Sequence, residues 1–113
     1  AMSEIKELTE ALVKFRDERN WAQFHNSKDL AVALSIEAAE LNELFLWKSA
    51  EDSEKVSREK IAEELADILA FALMLADKHG FDVREIVLDK IRKNGLKYEV
   101  DKSKNIATKY TDL

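Results

Sequence analysis

Two short acidic motifs, each set in an apolar stretch, are the residues of this chain best suited to chemistry. One is Ile36-Glu37-Ala38-Ala39-Glu40-Leu41 and the other is Glu63-Glu64-Leu65-Ala66-Asp67-Ile68. In each, two carboxylates stand three residues apart: Glu37 with Glu40, and Glu64 with Asp67. On a helix that spacing places both side chains on one face, about 60° apart around the axis. Each pair lies at the edge of an apolar stripe with an aromatic residue on its own face. Trp47 lies seven residues beyond Glu40, and Phe71 seven beyond Glu64. If the two helices are antiparallel neighbours, which the length of their connection favours, the four carboxylates converge. Unpaired carboxylates that close repel one another and raise their own pKa values. A divalent cation relieves the repulsion, and oxygen-only ligands select a hard ion, Mg²⁺ or Mn²⁺. No Glu-x-x-His occurs, so the di-iron pattern of carboxylate bundles is absent. His79, twelve residues beyond Asp67, does not complete one.

A blander reading competes with this one. The chain has 23 acidic residues in 113, so carboxylates three apart arise by chance. One such pair alone reads as a solvated face. Two pairs in the apolar halves of adjacent helices make a metal site a comparable reading. By composition alone Trp21 and Trp47 belong to a core, His25 to the surface or a cap, and Lys90 and Lys97 to solvent. His79 suits a helix C-terminus, where it meets the negative end of the dipole.

The elements that must position these residues are helices. A first helix spans about Ser3–Arg19, with Ile5, Leu8, Leu12 and Phe15 at helical spacing and Ser3 as N-cap. The stretch Asn20–Lys28 breaks the pattern and carries Trp21, Phe24 and His25. A second helix starts near Asn26 or Ser27 and runs to about Lys48. Leu30, Leu34, Leu41 and Phe45 form its main stripe, and Val32, Ile36, Ala39 and Leu46 a second flank. A helix this apolar around its circumference is buried on more than one side, which in a small domain points to a second subunit. Residues Ser49–Glu59 read as a loop, and Glu51–Lys60 as a solvated run without assigned function. A third helix spans about Arg58–Lys78, capped by Ser57, with Ile61, Leu65, Ile68, Leu69, Ala72 and Leu75 inward. His79-Gly80 ends it. Asp82 caps a fourth helix to about Asn94, with Val83, Ile86, Val87 and Ile91 inward and Gly95 at its end. The tail Leu96–Leu113 has no clear period. Four helices with short connections predict an all-α, four-helix bundle-like single domain over residues 1–113.

Composition narrows the field. The chain has no Cys and no Pro and only two Gly. That excludes a disulfide scaffold, a thiolate zinc site and a thiol nucleophile, and leaves too few turn residues for a many-stranded β protein. Apolar residues make up 46%, which excludes a disordered acidic tail. Charged residues make up 36%, above the globular average of about 25%, as long solvated helices require. The net charge of −5 disfavours a nucleic-acid polymer as partner. No apolar run reaches membrane-span length, and no signal-peptide region opens the chain. A cytoplasmic location fits these features. Ala1 before Met2 reads as a cloning scar.

The acidic motifs, in their surroundings, resemble the all-α nucleoside triphosphate pyrophosphohydrolases of the MazG-like group, and more closely their dCTP pyrophosphatase branch. The resemblance rests on Phe15-Arg16-Asp17-Glu18-Arg19-Asn20-Trp21, on Gln23-Phe24-His25, and on Glu37-x-x-Glu40-Leu41. It continues in Leu44-Phe45-x-Trp47-Lys48-Ser49, in Glu63-Glu64-Leu65-x-Asp67-Ile68 and in Lys109-Tyr110-Thr111-Asp112-Leu113. It covers roughly residues 5–113. It implies hydrolysis of a nucleoside triphosphate between its α and β phosphates, giving a monophosphate and pyrophosphate. It implies Mg²⁺ held by Glu37, Glu40, Glu64 and Asp67, with Trp21, His25 and Trp47 on the base or sugar. It also implies homodimers, or tetramers of paired dimers, with sites near the subunit interface.

The chain departs from the group in places. Phe71 stands where related enzymes often carry Tyr, and Leu12 where some carry a substrate-contacting His. The Lys-x-x-x-Asn segment followed by a basic residue and Tyr matches Lys90, Asn94, Lys97 and Tyr98, with Glu99 in place of a frequent Pro. Of these, Lys90, Asn94 and Lys97 are candidates for the β and γ phosphates, and Tyr98 for the substrate more generally. Either Glu40 or Glu64 is a candidate to orient or deprotonate the attacking water. The expected role is cleansing the nucleotide pool of surplus or modified, mainly deoxy, nucleotides. A non-catalytic helical interaction module, with solvated acidic faces and an apolar dimer face, is the alternative.

Overall fold

Each long helix begins on a side-chain cap that its own sequence supplies. In the computed structural model, which describes residues 2–113, α1 spans Glu4–Glu18 and the Ser3 hydroxyl accepts from the Lys6 N–H at 3.2 Å. α2 spans Ser27–Glu43, and Asn26 Oδ1 accepts from the Asp29 N–H at 2.8 Å. A single turn, α3, spans Ala50–Ser53 under a Ser49 cap. α4 spans Arg58–Lys78 under Ser57, and α5 spans Val83–Lys97 under Asp82. A last turn, α6, covers Val100–Ser103, and 3₁₀ turns cover Ala22–Phe24 and Tyr110–Asp112. No strand occurs among the described residues, and no helix among them is long and apolar enough to cross a membrane. Ala1, read above as a cloning scar, lies outside the described residues.

Such caps are worth about 1 kcal/mol each. Asn26→Ala is therefore expected to lower stability by about 1 kcal/mol, and Asn26→Gly by only a few tenths. Urea midpoints at unchanged slope measure both, and equal losses would contradict the capping role.

The chain divides into two compact units, one ending at Gly80 and one spanning Phe81–Leu113. In the first, α4 packs against α2 and, less extensively, α1. Ser27, at the start of α2, has its hydroxyl 2.9 Å from Nε2 of His79, at the end of α4. The two helices therefore run antiparallel. Leu30, Met74 and Ala76 are buried. His79 is the C-cap of α4, and Gly80 follows at φ 67°, a left-handed conformation that costs glycine little. In the second unit, Tyr110 meets Tyr98 edge-on at 5.8 Å between ring centroids, and the Lys97 ammonium lies 4.7 Å from the Tyr110 ring.

Several expectations need correction. α2 stops at Glu43, not Lys48. Residues 44–48 instead turn on i→i+3 bonds, such as the Phe45 N–H to the Asn42 carbonyl at 3.0 Å. Trp47 is therefore not on the Glu40 face of a helix: it sits at φ 61° and is 94% exposed. The loop 49–59 contains α3, for which Ser49 with Asp52 three residues on was the overlooked signal. Gly95 does not end the fourth long helix, which continues to Lys97 with the Tyr98 N–H donating to the Asn94 carbonyl at 2.8 Å. The tail holds two short helical turns.

The apolar stripes also differ from expectation. Leu65 and Leu69, expected inward on α4, are about half exposed, as are Ile86, Val87 and Ile91 on α5 and Leu8 and Phe15 on α1. Of the stripes expected on the second helix, the main one, Leu30, Leu34 and Leu41 on α2 with Phe45 in the turn after it, is buried or half-buried, whereas the second flank is exposed. Val32 and Ile36 of that flank are each about half exposed.

Candidate metal centre

The antiparallel packing of α2 on α4 brings the two acidic motifs together. One carboxylate oxygen from each of Glu37, Glu40 and Glu64 lies within 4.8 Å of the others. Glu37 and Glu64 are half-buried and Glu40 is exposed, so the cluster opens to solvent on the Glu40 side. Asp67 stands outside this triangle, on the exposed surface of α4, yet its negative charge pushes up the pKa of both Glu37 and Glu64. Burial is the larger cause for each. It is followed by the neighbouring Glu40 carboxyl and then by the remaining acidic charges. Glu37 is pushed up to about 7 from an ordinary 4.5.

One oxygen of Glu37 and one of Glu64, both Oε2, are buried without any hydrogen-bond partner. A buried acceptor left unpaired is destabilising, the more so if it is charged. A cation between these oxygens satisfies both and cancels the mutual repulsion. The donor set is entirely carboxylate oxygen, which suits a hard divalent ion. The residues present therefore fit a divalent metal.

The other expected site residues fall as follows. Phe71 is half-buried on α4, one turn past Asp67. Trp21 packs edge-on against Phe15 at 5.9 Å between centroids. The Arg19 guanidinium lies over the Phe15 ring at 3.6 Å and reaches the Trp21 ring at 5.9 Å. Trp21 itself is 43% exposed. His25 is the C-cap of the 3₁₀ turn Ala22–Phe24, half-buried, and its Nδ1 is buried with no partner. Lys90, Asn94 and Lys97 are on α5 and Tyr98 is its C-cap, all within the second unit.

An open hollow of about 570 Å³ went unnoticed in the sequence. It is lined by Trp47, Lys48, Asp52, Lys55 and Lys60 over apolar Leu44 and Val56. Its lining comes from the turn after α2, from α3 and its flanks, and from the first turn of α4, segments that the sequence reading divides among the end of the second helix, the loop 49–59 and the start of the third helix.

Comparison with known proteins gives a consistent result. The model of the MazG-like family matches residues 32–113. The dCTP pyrophosphatase 1 of Bos taurus is 39% identical over 114 residues, covering 96% of this chain and 68% of that protein. The Homo sapiens dCTP pyrophosphatase 1 is 34% identical over 116 residues, covering 96% and 67%. The crystal structure of a pyrophosphatase from Archaeoglobus fulgidus superposes with a TM-score of 0.83 at 38% identity, over 88% of this chain and 95% of that one.

Proposed function

The chain belongs to the MazG-like family, and from that premise we propose that it hydrolyses nucleoside triphosphates, chiefly deoxynucleotides, at the α–β anhydride. Water adds across that bond, giving a nucleoside monophosphate and pyrophosphate. The observation that carries the reading is the convergence of Glu37, Glu40 and Glu64 with two buried, unpaired carboxylate oxygens. It stands in a chain over a third identical to proteins named dCTP pyrophosphatase 1. The dCTP-like substrate class is carried over from those names.

Glu37, Glu40, Glu64 and Asp67 hold Mg²⁺ in this reading, with Mn²⁺ as a substitute. The ion offsets the negative charge of the triphosphate and lowers the pKa of a bound water. Glu40, the exposed member of the triangle, and Glu64 are the two candidates to orient the attacking water or take its proton. Trp21, His25, Trp47 and Phe71 hold the nucleoside. The Arg19–Phe15 stack fixes the ring of Trp21, and Trp47 offers a nearly bare indole for stacking. Lys90, Asn94 and Lys97 are the candidates for the phosphates, and Tyr98 is a further substrate-binding candidate. The exposed flank Val32 and Ile36, with Leu65 and Leu69, suits burial against a second copy, as a homodimer or homotetramer. Residues 1–113 act as one catalytic domain, and cleansing of the dNTP pool is the proposed role.

A panel of common NTPs and dNTPs with Mg²⁺ tests this. Products are resolved as monophosphate, pyrophosphate and orthophosphate. The expected result is monophosphate with equimolar pyrophosphate, fastest for a deoxynucleotide. Orthophosphate as first product, or no turnover by folded, Mg²⁺-binding protein, would refute it.

A further inference from the structure

We infer that Asn94–Gly95, in the last turn of α5, is a site of spontaneous covalent modification: Asn94 deamidates through a cyclic imide, and the change opens the end of that helix. The chain holds five asparagines, at positions 20, 26, 42, 94 and 105. Deamidation is attack by the next residue's main-chain nitrogen on the side-chain amide carbon, so the next side chain governs access. Asn20 precedes Trp21, Asn42 precedes Glu43 and Asn105 precedes Ile106, and each of these side chains crowds that nitrogen. Asn26 precedes the small Ser27, but its amide is held twice. Its Oδ1 accepts from the Asp29 N–H at 2.8 Å, and its Nδ2 donates to Asp29 Oδ2 at 2.8 Å. Asn94 precedes a glycine, which has no side chain to obstruct the approach. It is exposed, and its amide makes no hydrogen bond among the described residues.

Helical backbone holds the Gly95 nitrogen back from Cγ of Asn94 and keeps its N–H in the ladder, so the reaction proceeds from the frayed turn. Glycine is a poor helix former, and the helix closes just past it on the Tyr98 N–H, which donates to the Asn94 carbonyl at 2.8 Å. In the frayed turn the Gly95 nitrogen gives its proton to base and bonds to Cγ. The side-chain nitrogen leaves as ammonia, with a proton returned from solvent. Water then opens the imide. Addition at Cγ gives an ordinary aspartyl linkage, and addition at the main-chain carbonyl gives a β-aspartyl one. The net change is amide plus water to carboxylate plus ammonium, with no oxidant or reductant. A β-linkage adds a methylene to the main chain, so the helical register and the Tyr98 bond are lost. The contacts of Tyr98 and Lys97 with the Tyr110 ring depend on that turn. Resting on the reading of α5 given above, the new carboxylate also stands one turn from Lys90 and from Lys97 and competes with the phosphates for them.

The test incubates the full chain at physiological temperature, at neutral pH and in mild alkali. β-Aspartyl linkages are mapped by peptide mass spectrometry after labelling with an enzyme that methylates them. Asn94 should carry most of the label among the five asparagines, and its rate should rise with pH as the Gly95 N–H is more readily deprotonated. Gly95→Ala is the clean comparison, because a Cβ there meets nothing within 4 Å and the residue is helical. Alanine holds the turn closed more firmly, so the rate at Asn94 should fall about fivefold through the helix alone, and further because a methyl crowds the nitrogen. Label appearing at Asn26 before Asn94, equal rates in wild type and Gly95→Ala, or no label at Asn94 in mild alkali would each overturn the assignment. Turnover is scored on the same samples. It should fall in step with the label in wild type and hold in Gly95→Ala. Label that accumulates at Asn94 while turnover stays constant would leave the modification site standing and remove Lys90, Asn94 and Lys97 from the phosphates.

Discussion

Glu64→Gln is expected to cut nucleoside triphosphate turnover by about a hundredfold or more, the scale set by loss of a positioned acid–base group. The same change should leave the metal-free protein at least as stable as wild type. Both effects come from one cause. Glu64 contributes a buried, unpaired oxygen to a triangle of carboxylates, and burial and its acidic neighbours already push up its pKa. Removing its charge relieves repulsion in the metal-free fold and deletes a ligand from the loaded one. Stability and activity then move in opposite directions, as they do where a site is built against the preference of the fold. Thermal melts separate this from simple damage. Saturating Mg²⁺, at about a hundred times its Kd, should stabilise wild type by about 2.7 kcal/mol, and the shift should vanish in Glu64→Gln and Glu40→Gln. Glu63→Gln, one residue away but outside the triangle, is the control and should keep turnover and shift. A Glu64→Gln protein with full turnover, or with an undiminished Mg²⁺ shift, would remove the metal centre.

The legible parts of this site are those fixed by local chemistry. Ser3, Asn26, Ser57 and Asp82 each cap the helix their sequence predicts, because a cap needs only a short polar side chain and a free N–H. The meeting of Glu37, Glu40 and Glu64 was legible too, since the three-residue spacing and antiparallel pairing leave the carboxylates few other places. Asp67 was not. Whether it joins the triangle depends on the rotation of α4 against α2, which spacing does not encode. The end of α2 was illegible for another reason. Leu44-Phe45-Leu46-Trp47 contains no Gly or Pro, and its apolar spacing continues the helix. The helix gives way after Glu43 to i→i+3 turns, and the chain then passes through a left-handed residue at Trp47 to a fresh cap at Ser49. Gly95 misled in the opposite sense. Its cost of about 1 kcal/mol inside a helix is outweighed, and α5 runs past it to the Tyr98–Asn94 bond. The exposed stripes on α1, α4 and α5 have the period of a core but lack cover within one chain, so periodicity alone placed them inside.

The metal-free protein should be most stable near pH 4–5 and lose stability as pH rises toward 7. Glu37 sets this direction. Its folded pKa, about 7, lies above the ordinary 4.5, so between those values the folded chain holds a proton that the unfolded chain has released. Stability falls with rising pH wherever the folded state binds more protons, so the contribution is full below about 4.5 and lost through about 7. Glu64 shifts the same way and adds to the fall. Asp29 and Asp89 are shifted downward, by hydrogen bonds chiefly from Lys28 and from Arg92, and their contributions are lost only as pH drops below the ordinary 3.8. The two groups of carboxylates thus bracket the maximum. Mg²⁺ should invert the upper slope, because its ligands must be deprotonated. Its apparent affinity should rise by up to about tenfold per pH unit toward 7 and level above it, with a proton released on binding. Urea unfolding at pH 5, 6, 7 and 8, with and without Mg²⁺, reads the slopes, and calorimetry in two buffers of different ionisation enthalpy reads the proton. Glu37→Gln should flatten most of the metal-free fall between pH 5 and 7. A wild-type chain whose metal-free stability climbed over that range would mean that Glu37 is ionised in the fold, and that the carboxylate triangle is held together by something other than a retained proton.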